Sequence, residues 1–114
     1  MNTAMDPLPN CLLVVTVEVD TEVEADWNRW YNDVHLPAAL ACPGVLRGRR
    51  YCSTGPTSES DRGARTQHAR RVYTTVYELD SPQAVETPEF QAMRGWYEFA
   101  PGVRSRTQVI QTLN

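Results

Sequence analysis

The sequence predicts an α+β fold: a four-stranded antiparallel sheet with two helices on one face, in the order β-α-β-β-α-β. Three observations point there. Alternating, β-branched segments occur at both ends of the chain and twice between. An apolar stripe at three- and four-residue steps follows the first of them, and a proline-broken helical stretch precedes the last.

Cys11 to Asp20 (CLLVVTVEVD) is dense in β-branched residues and too short for a buried helix, so it reads as a central strand. From Glu22 to Cys42 the period changes. Val23, Trp27, Trp30, Val34, Ala38 and Ala41 recur at helical spacing, and Pro37 kinks or restarts that helix near Leu36 because it lacks an amide donor. Pro43 and Gly44 mark a turn, and Val45 to Ser53 resumes a strand rhythm with Val45, Arg47, Arg49 and Tyr51 on one face. Residues 54–69 are a long polar connection, expected to be a mobile lid or disordered.

Arg70 to Asp80 is the third strand, with Tyr73 and Tyr77 on one face and Val72 and Val76 on the other. Asp80-Ser81-Pro82 and Thr87-Pro88 give two successive helix starts, so a broken helix follows, with Phe90, Met93 and Tyr97 on one side. Gly102 ends it, and Val103 to Leu113 alternates as the closing strand. This order is the split βαβ, ferredoxin-like arrangement, expected here as one domain over residues 1–114 with a flexible terminus at 1–10. Strands one and three are apolar on both faces, which predicts that the open face of the sheet packs on a second copy, as a homodimer.

Composition narrows the function classes. With 41% hydrophobic, 9% aromatic and 22% charged residues the chain is ordinary globular material. Eleven basic residues, all arginine, against fourteen acidic ones give net charge -3, which disfavours a nucleic-acid partner. The acidic run Glu18, Asp20, Glu22, Glu24, Asp26 and the arginines between Arg47 and Arg71 are expected to form solvated faces and pair with one another. No apolar run reaches the roughly 20 residues of a membrane span. The start lacks a signal-peptide pattern, and Cys11, Cys42 and Cys52, odd in number and without CxxC spacing, read as small buried residues of a reducing cytoplasm. Two histidines without ligand spacing predict no metal, and the absence of glycine-rich phosphate loops or a nucleophile elbow predicts no cofactor and no serine-type chemistry. His68 is expected to be a solvated loop residue.

The run WNRWYNDVHLPAALACPGVLRGRRY, Trp27 to Tyr51, resembles the EthD-like branch of the dimeric α/β barrel superfamily. An aromatic helix ends there in His-x-Pro, and a Pro-Gly turn leads to an Arg-Tyr strand. The resemblance implies a small-molecule site between helices and sheet, His35 as acid or base, and Arg49 and Tyr51 as substrate contacts. Members of that superfamily include cofactor-free cyclases, isomerases and monooxygenases, so fold alone does not choose among them.

Read from the residues, His35 suits proton transfer near neutral pH. An ideal helix places it about 100° from the centre of the stripe Val23, Trp27, Trp30, Val34, at the boundary, and the Pro37 kink can turn it inward. Tyr31, one turn earlier, can orient the imidazole or donate to a substrate oxygen. Trp30 is a candidate wall for an aromatic ligand, or a core filler. If Arg49 shares the inner face, it needs an anionic ligand or a carboxylate partner such as Glu18 or Glu78. The expected function is cofactor-independent acid/base chemistry on an aromatic or polyketide-like compound: cyclase, isomerase, dehydratase or decarboxylase. The alternatives are a cofactor-free monooxygenase and a non-catalytic dimeric ligand-binding or sensing module.

Overall fold

A computed structural model describes residues 8–113, and the expected flexible terminus falls largely on residues 1–7, outside the described ones. Strand β1 (Cys11–Val19) leads into helix α1 (Thr21–Trp30), a π-helical turn (Tyr31–His35) and helix α2 (Leu36–Leu40). Strand β2 (Val45–Cys52), a hairpin of β3 (Thr57–Asp61) and β4 (Ala64–His68), and strand β5 (Tyr73–Leu79) follow. A 3₁₀ turn (Pro82–Glu86), helix α3 (Pro88–Met93) and a second 3₁₀ turn (Tyr97–Gly102) precede β6 (Val103–Gln111). The main sheet is antiparallel in the order β2-β5-β1-β6, the ferredoxin-like topology that the strand pattern predicts. Among the described residues no helix is long and apolar enough to cross a membrane.

The core lies between sheet and helices. Cys11, Leu13, Val15 and Val17 of β1 alternate inward and meet Tyr73, Tyr77 and Leu79 of β5, as period-two patterning requires. Along the first helical stretch the buried residues are Trp27, Tyr31, His35, Ala39 and Cys42, and the second adds Ala84, Phe90 and Phe99. This differs from the stripe expected of an ideal helix, which included Val34; that residue is 55% exposed. Four-residue steps drift by about 40° each on a 3.6-residue helix. The π turn, in which the Leu36 amide reaches back five residues to the Tyr31 carbonyl, takes up the drift. It lies just before Pro37, whose missing amide cannot close the usual ring onto Asp33.

A second irregularity sits in β2. The register shifts between Val45 and Arg47, a bulge that reverses which residues face the helices. Val45 is buried, but beyond the bulge Gly48 and Arg50 face the helices, opposite Tyr77 and Thr75. Arg47, Arg49 and Tyr51 face the open side, opposite Glu78, Val76 and Thr74. The expectation that Arg49 and Tyr51 share Val45's face fails here.

Three further expectations change. The polar connection is folded, as the hairpin β3–β4, turned by Arg62 (φ 52°) and Gly63 (φ 86°) with both residues left-handed. His68 belongs to it and bonds Glu59 at 3.2 Å. Cys11 and Cys42 are buried, but Cys52, near the end of β2, is exposed. Tyr97 lies beyond α3, after a break at residues 94–96. The acidic run does pair as expected, Glu18 with Arg70 at 2.8 Å and Glu24 with Arg71 at 3.7 Å.

Gly48 is required for a different reason from the turn glycines. A Cβ there would stand 2.6 Å from Cδ1 of the Tyr77 ring and 3.2 Å from Leu40 Cδ2. Gly48→Ala should therefore lower stability by about 1–3 kcal/mol through overpacking. Gly55→Ala, with nothing within 4 Å of the new methyl, should stay within about 0.5 kcal/mol of the parent. Urea unfolding of the two variants checks the contrast.

Candidate functional site

A cavity of about 260 Å³ lies between β1, the π turn, α3 and β6. Leu13, Val15 and Tyr77 form its floor, Tyr31 and His35 one wall, Phe90 and Met93 another, and Trp96 the roof, while Ser105 and Thr107 of β6 stand at its edge. Each element places its share for a local reason. Thr87 caps α3 by accepting the Phe90 amide at 3.1 Å, and Pro88 opens the helix, so Phe90 points into the core. The roof is set by backbone: Gly95 (φ 116°) and Tyr97 (φ 53°) are left-handed. The Tyr97 hydroxyl compensates by donating to the Met93 carbonyl at 2.9 Å, at the end of α3. Trp96 is fixed by its indole N–H, which donates to Ser105 Oγ at 3.0 Å.

His35 is 7% exposed and its ring is held by aromatic contact. It stacks on Trp30 at 4.6 Å and 20°, meets Tyr31 edge-on at 4.9 Å and 90°, and lies 5.5 Å from Trp96. Among the described residues it makes no hydrogen bond, so its nitrogens are available to the cavity it lines. Burial, aided by the Arg50 charge, lowers its pKa from 6.5 to about 4, and the imidazole is neutral at pH 7.

Tyr31 and Tyr77 bring their hydroxyls to 3.2 Å of each other inside the core. Burial pushes the Tyr77 phenol far above its ordinary range, so it remains a proton donor. Behind Tyr31 stands Arg50, its guanidinium 4.3 Å from the ring centroid and 5.1 Å from that of Trp27. Arg50 donates to Asn28 Oδ1 and Asn32 Oδ1, each at 2.7 Å, and its Nε is buried without a partner among the described residues. Asn28 donates to the Tyr73 hydroxyl at 3.0 Å, and Tyr73 donates to Glu24.

Of the residues singled out from sequence, Tyr31, His35 and Trp30 come together here. Arg49 and Tyr51 lie on the opposite, open face of the sheet. Arg49 is exposed there, and the carboxylates suggested for it are engaged elsewhere, Glu78 with Arg47 at 2.6 Å and Glu18 with Arg70. Sequence reasoning missed Tyr77, Arg50, Arg94 and Trp96 as site residues. Tyr77 had a signal, its place on the inward face of β5; Arg50 had none, because the bulge is not encoded in the alternation. No group of three His, Cys, Asp or Glu side chains among the described residues could hold a metal ion.

Comparison with known proteins agrees with this architecture. The family model described as Domain of unknown function (DUF4286) matches residues 10–94. No curated protein matches the chain. Among solved structures, HapK from Hahella chejuensis shares 13% identity at TM-score 0.58, covering 90% of this chain and 92% of its own. An EthD family protein from Bacillus halodurans shares 14% at 0.57, covering 90% and 99%. SnoaB from Streptomyces nogalater, a cofactor-independent oxygenase, shares 13% at 0.53, covering 93% and 95%. At such identities the likeness is one of fold: the chain shares the ferredoxin-like α+β fold of these proteins.

The lowered His35 pKa has a consequence for stability. The unfolded chain binds this proton at higher pH than the folded one, so the contribution is complete above pH 6.5 and is lost as pH falls toward 4. The loss should be on the order of 1 kcal/mol per pH unit in that window. Urea unfolding from pH 7 to 4 should show it in the parent, and His35→Gln should lack that component.

Proposed function

We propose that this chain, which belongs to the DUF4286 family of domains of unknown function, is a cofactor-independent small-molecule enzyme. It acts on an aromatic or polyketide-like compound, and His35 moves the proton. One observation carries the reading: a buried imidazole without a hydrogen-bond partner among the described residues lines the same cavity as a tyrosine hydroxyl pair. A structural histidine in a core would bond a neighbour. Aromatic walls of Tyr31, Phe90 and Trp96 suit a flat ligand, and Trp30 backs the His35 ring.

Held neutral, His35 is set to accept a proton, from a substrate C–H beside a carbonyl or from a phenol O–H. Isomerisation and cyclisation begin with such a step, and so does oxygenation of a phenol without a cofactor; SnoaB is a cofactor-independent oxygenase. Among the described residues no carboxylate orients the ring, which favours a second reading, a binding or sensing module in which no proton moves. Turnover separates them. With a compound found by screening phenols and polyketide-like diketones through tryptophan fluorescence, His35→Ala should lower turnover at least about 10²-fold while ligand binding persists. Unchanged turnover in that variant would overturn the catalytic role.

The reading includes a homodimer through the open face. Leu12, Val14, Val76 and Ile110 are neighbours there by strand register, an apolar centre beside the Arg47–Glu78 pair. In that dimer Arg49 and Tyr51 belong to the interface. Light scattering at micromolar concentration should give twice the chain mass of 12.9 kDa; the single-chain mass would remove this part of the reading.

A further inference from the structure

The cavity wall carries charge of one sign. In a chain of net charge -3, its charged lining side chain is Arg94, with the neutral His35 beside it and no Asp or Glu among the described residues that line it. Arg94, exposed at the mouth, has no ion pair among the described residues. Arg50 is the second cation. Its donated hydrogen bonds go to the neutral Asn28 and Asn32, and its charge reaches the cavity through the face of the Tyr31 ring. Among the described residues no carboxylate pairs with either guanidinium.

The tyrosine pair adds direction. When two hydroxyls bond each other, one donates and the other, having accepted, keeps its own hydrogen. Neither the Tyr31 nor the Tyr77 hydroxyl has another partner among the described residues, so one O–H hydrogen is unspent inside the cavity. A cation against the π face of a phenol draws electron density from it and makes its O–H the stronger donor. Resting on the function proposed above, we infer that the cavity holds its aromatic ligand as a phenolate. The charged oxygen is received by the unspent hydroxyl of the Tyr31–Tyr77 pair, with Arg50 behind the Tyr31 ring and Arg94 at the entrance. Burial is the main cause that keeps a proton off His35; the Arg50 charge adds to it, and that second contribution is the one that favours an anion. A volume of about 260 Å³, below the roughly 300–1,000 Å³ of drug-sized sites, suits one or two rings.

Para-nitrophenol is the probe, because its visible spectrum distinguishes phenol from phenolate, and tryptophan quenching reports occupancy separately. The parent protein should bind the phenolate at least about tenfold more tightly than the phenol, the scale of one hydrogen bond to a charged group. The bound probe should then ionise about one pH unit lower than the free one. Tyr77→Phe and Arg50→Gln, checked for folding by circular dichroism, should each remove most of that preference while quenching persists. Should either fail to fold, Arg94→Gln, at the exposed mouth, should weaken phenolate binding and leave phenol binding unchanged. Quenching with no change in ionisation overturns this inference and leaves the His35 reading standing. A preference that survives all the variants overturns the assignment to these residues, and neither quenching nor a spectral change overturns the phenolate site itself.

Discussion

Proline 37 brings no amide to the helix that crosses the sheet, and the turn before it widens to five residues. That widening decides what the core contains. It keeps Trp27, Tyr31, His35 and Ala39, each four residues from the last, on the buried side. A regular helix would have carried His35 toward the rim and brought Val34 in. The aromatic contacts around His35 hold the looser turn in place: Trp30 stacks on one face and Tyr31 stands against its edge. An imidazole thus enters the cavity with no carboxylate bonded to it among the described residues, and burial together with the Arg50 charge lowers its proton affinity.

The bulge in β2 does for the sheet what the wide turn does for the helix. By displacing alternation one place after Val45, it sends Arg50 under the helices and Arg49 to the other face. Gly48 lies between, and its missing side chain is the space that the Tyr77 ring occupies. Two local departures from ideal geometry, one per layer, therefore meet at a single point. Tyr31 from the π turn is covered by Arg50 from β2, and its hydroxyl meets that of Tyr77 from β5.

The regular parts of this fold were readable from sequence because their patterns have one physical interpretation. Alternation in β1 and β5 places Leu13, Val15 and Tyr77 inward whatever the neighbours do, and Thr87-Pro88 starts α3 as capping chemistry predicts. The irregular parts had two interpretations. Val34 and His35 are adjacent, and periodicity at 3.6 residues per turn favours the valine; only the backbone hydrogen bond from Leu36 to Tyr31 selects the histidine. Arg49 and Arg50 are ambiguous in the same way until the bulge is known. The hairpin β3–β4 is polar on both faces, so its sequence carries no alternation, and its turn at Arg62-Gly63 is the one local signal. The misplacement of His35, Val34, Arg49 and Arg50 follows from shifts of one residue, and those shifts determine which groups reach the cavity.

The electrostatics then bind the site's parts to one another. Protonating His35 alone is unfavourable, since burial and the Arg50 charge both oppose the imidazolium. Placing a phenolate alone in an apolar cavity is also costly, for the same reason of lost hydration. In the proposed reaction, a proton moved from ligand to His35 makes both ions at once, and each offsets part of the other's penalty by mutual attraction at short range in a poorly screened interior. In the phenolate site proposed above, the hydroxyl pair and Arg50 favour the anion over the neutral ligand, which tilts that transfer toward products without any group having to move. In that arrangement a weak base is sufficient, because the driving force comes from where the negative charge goes and not from the proton affinity of the histidine.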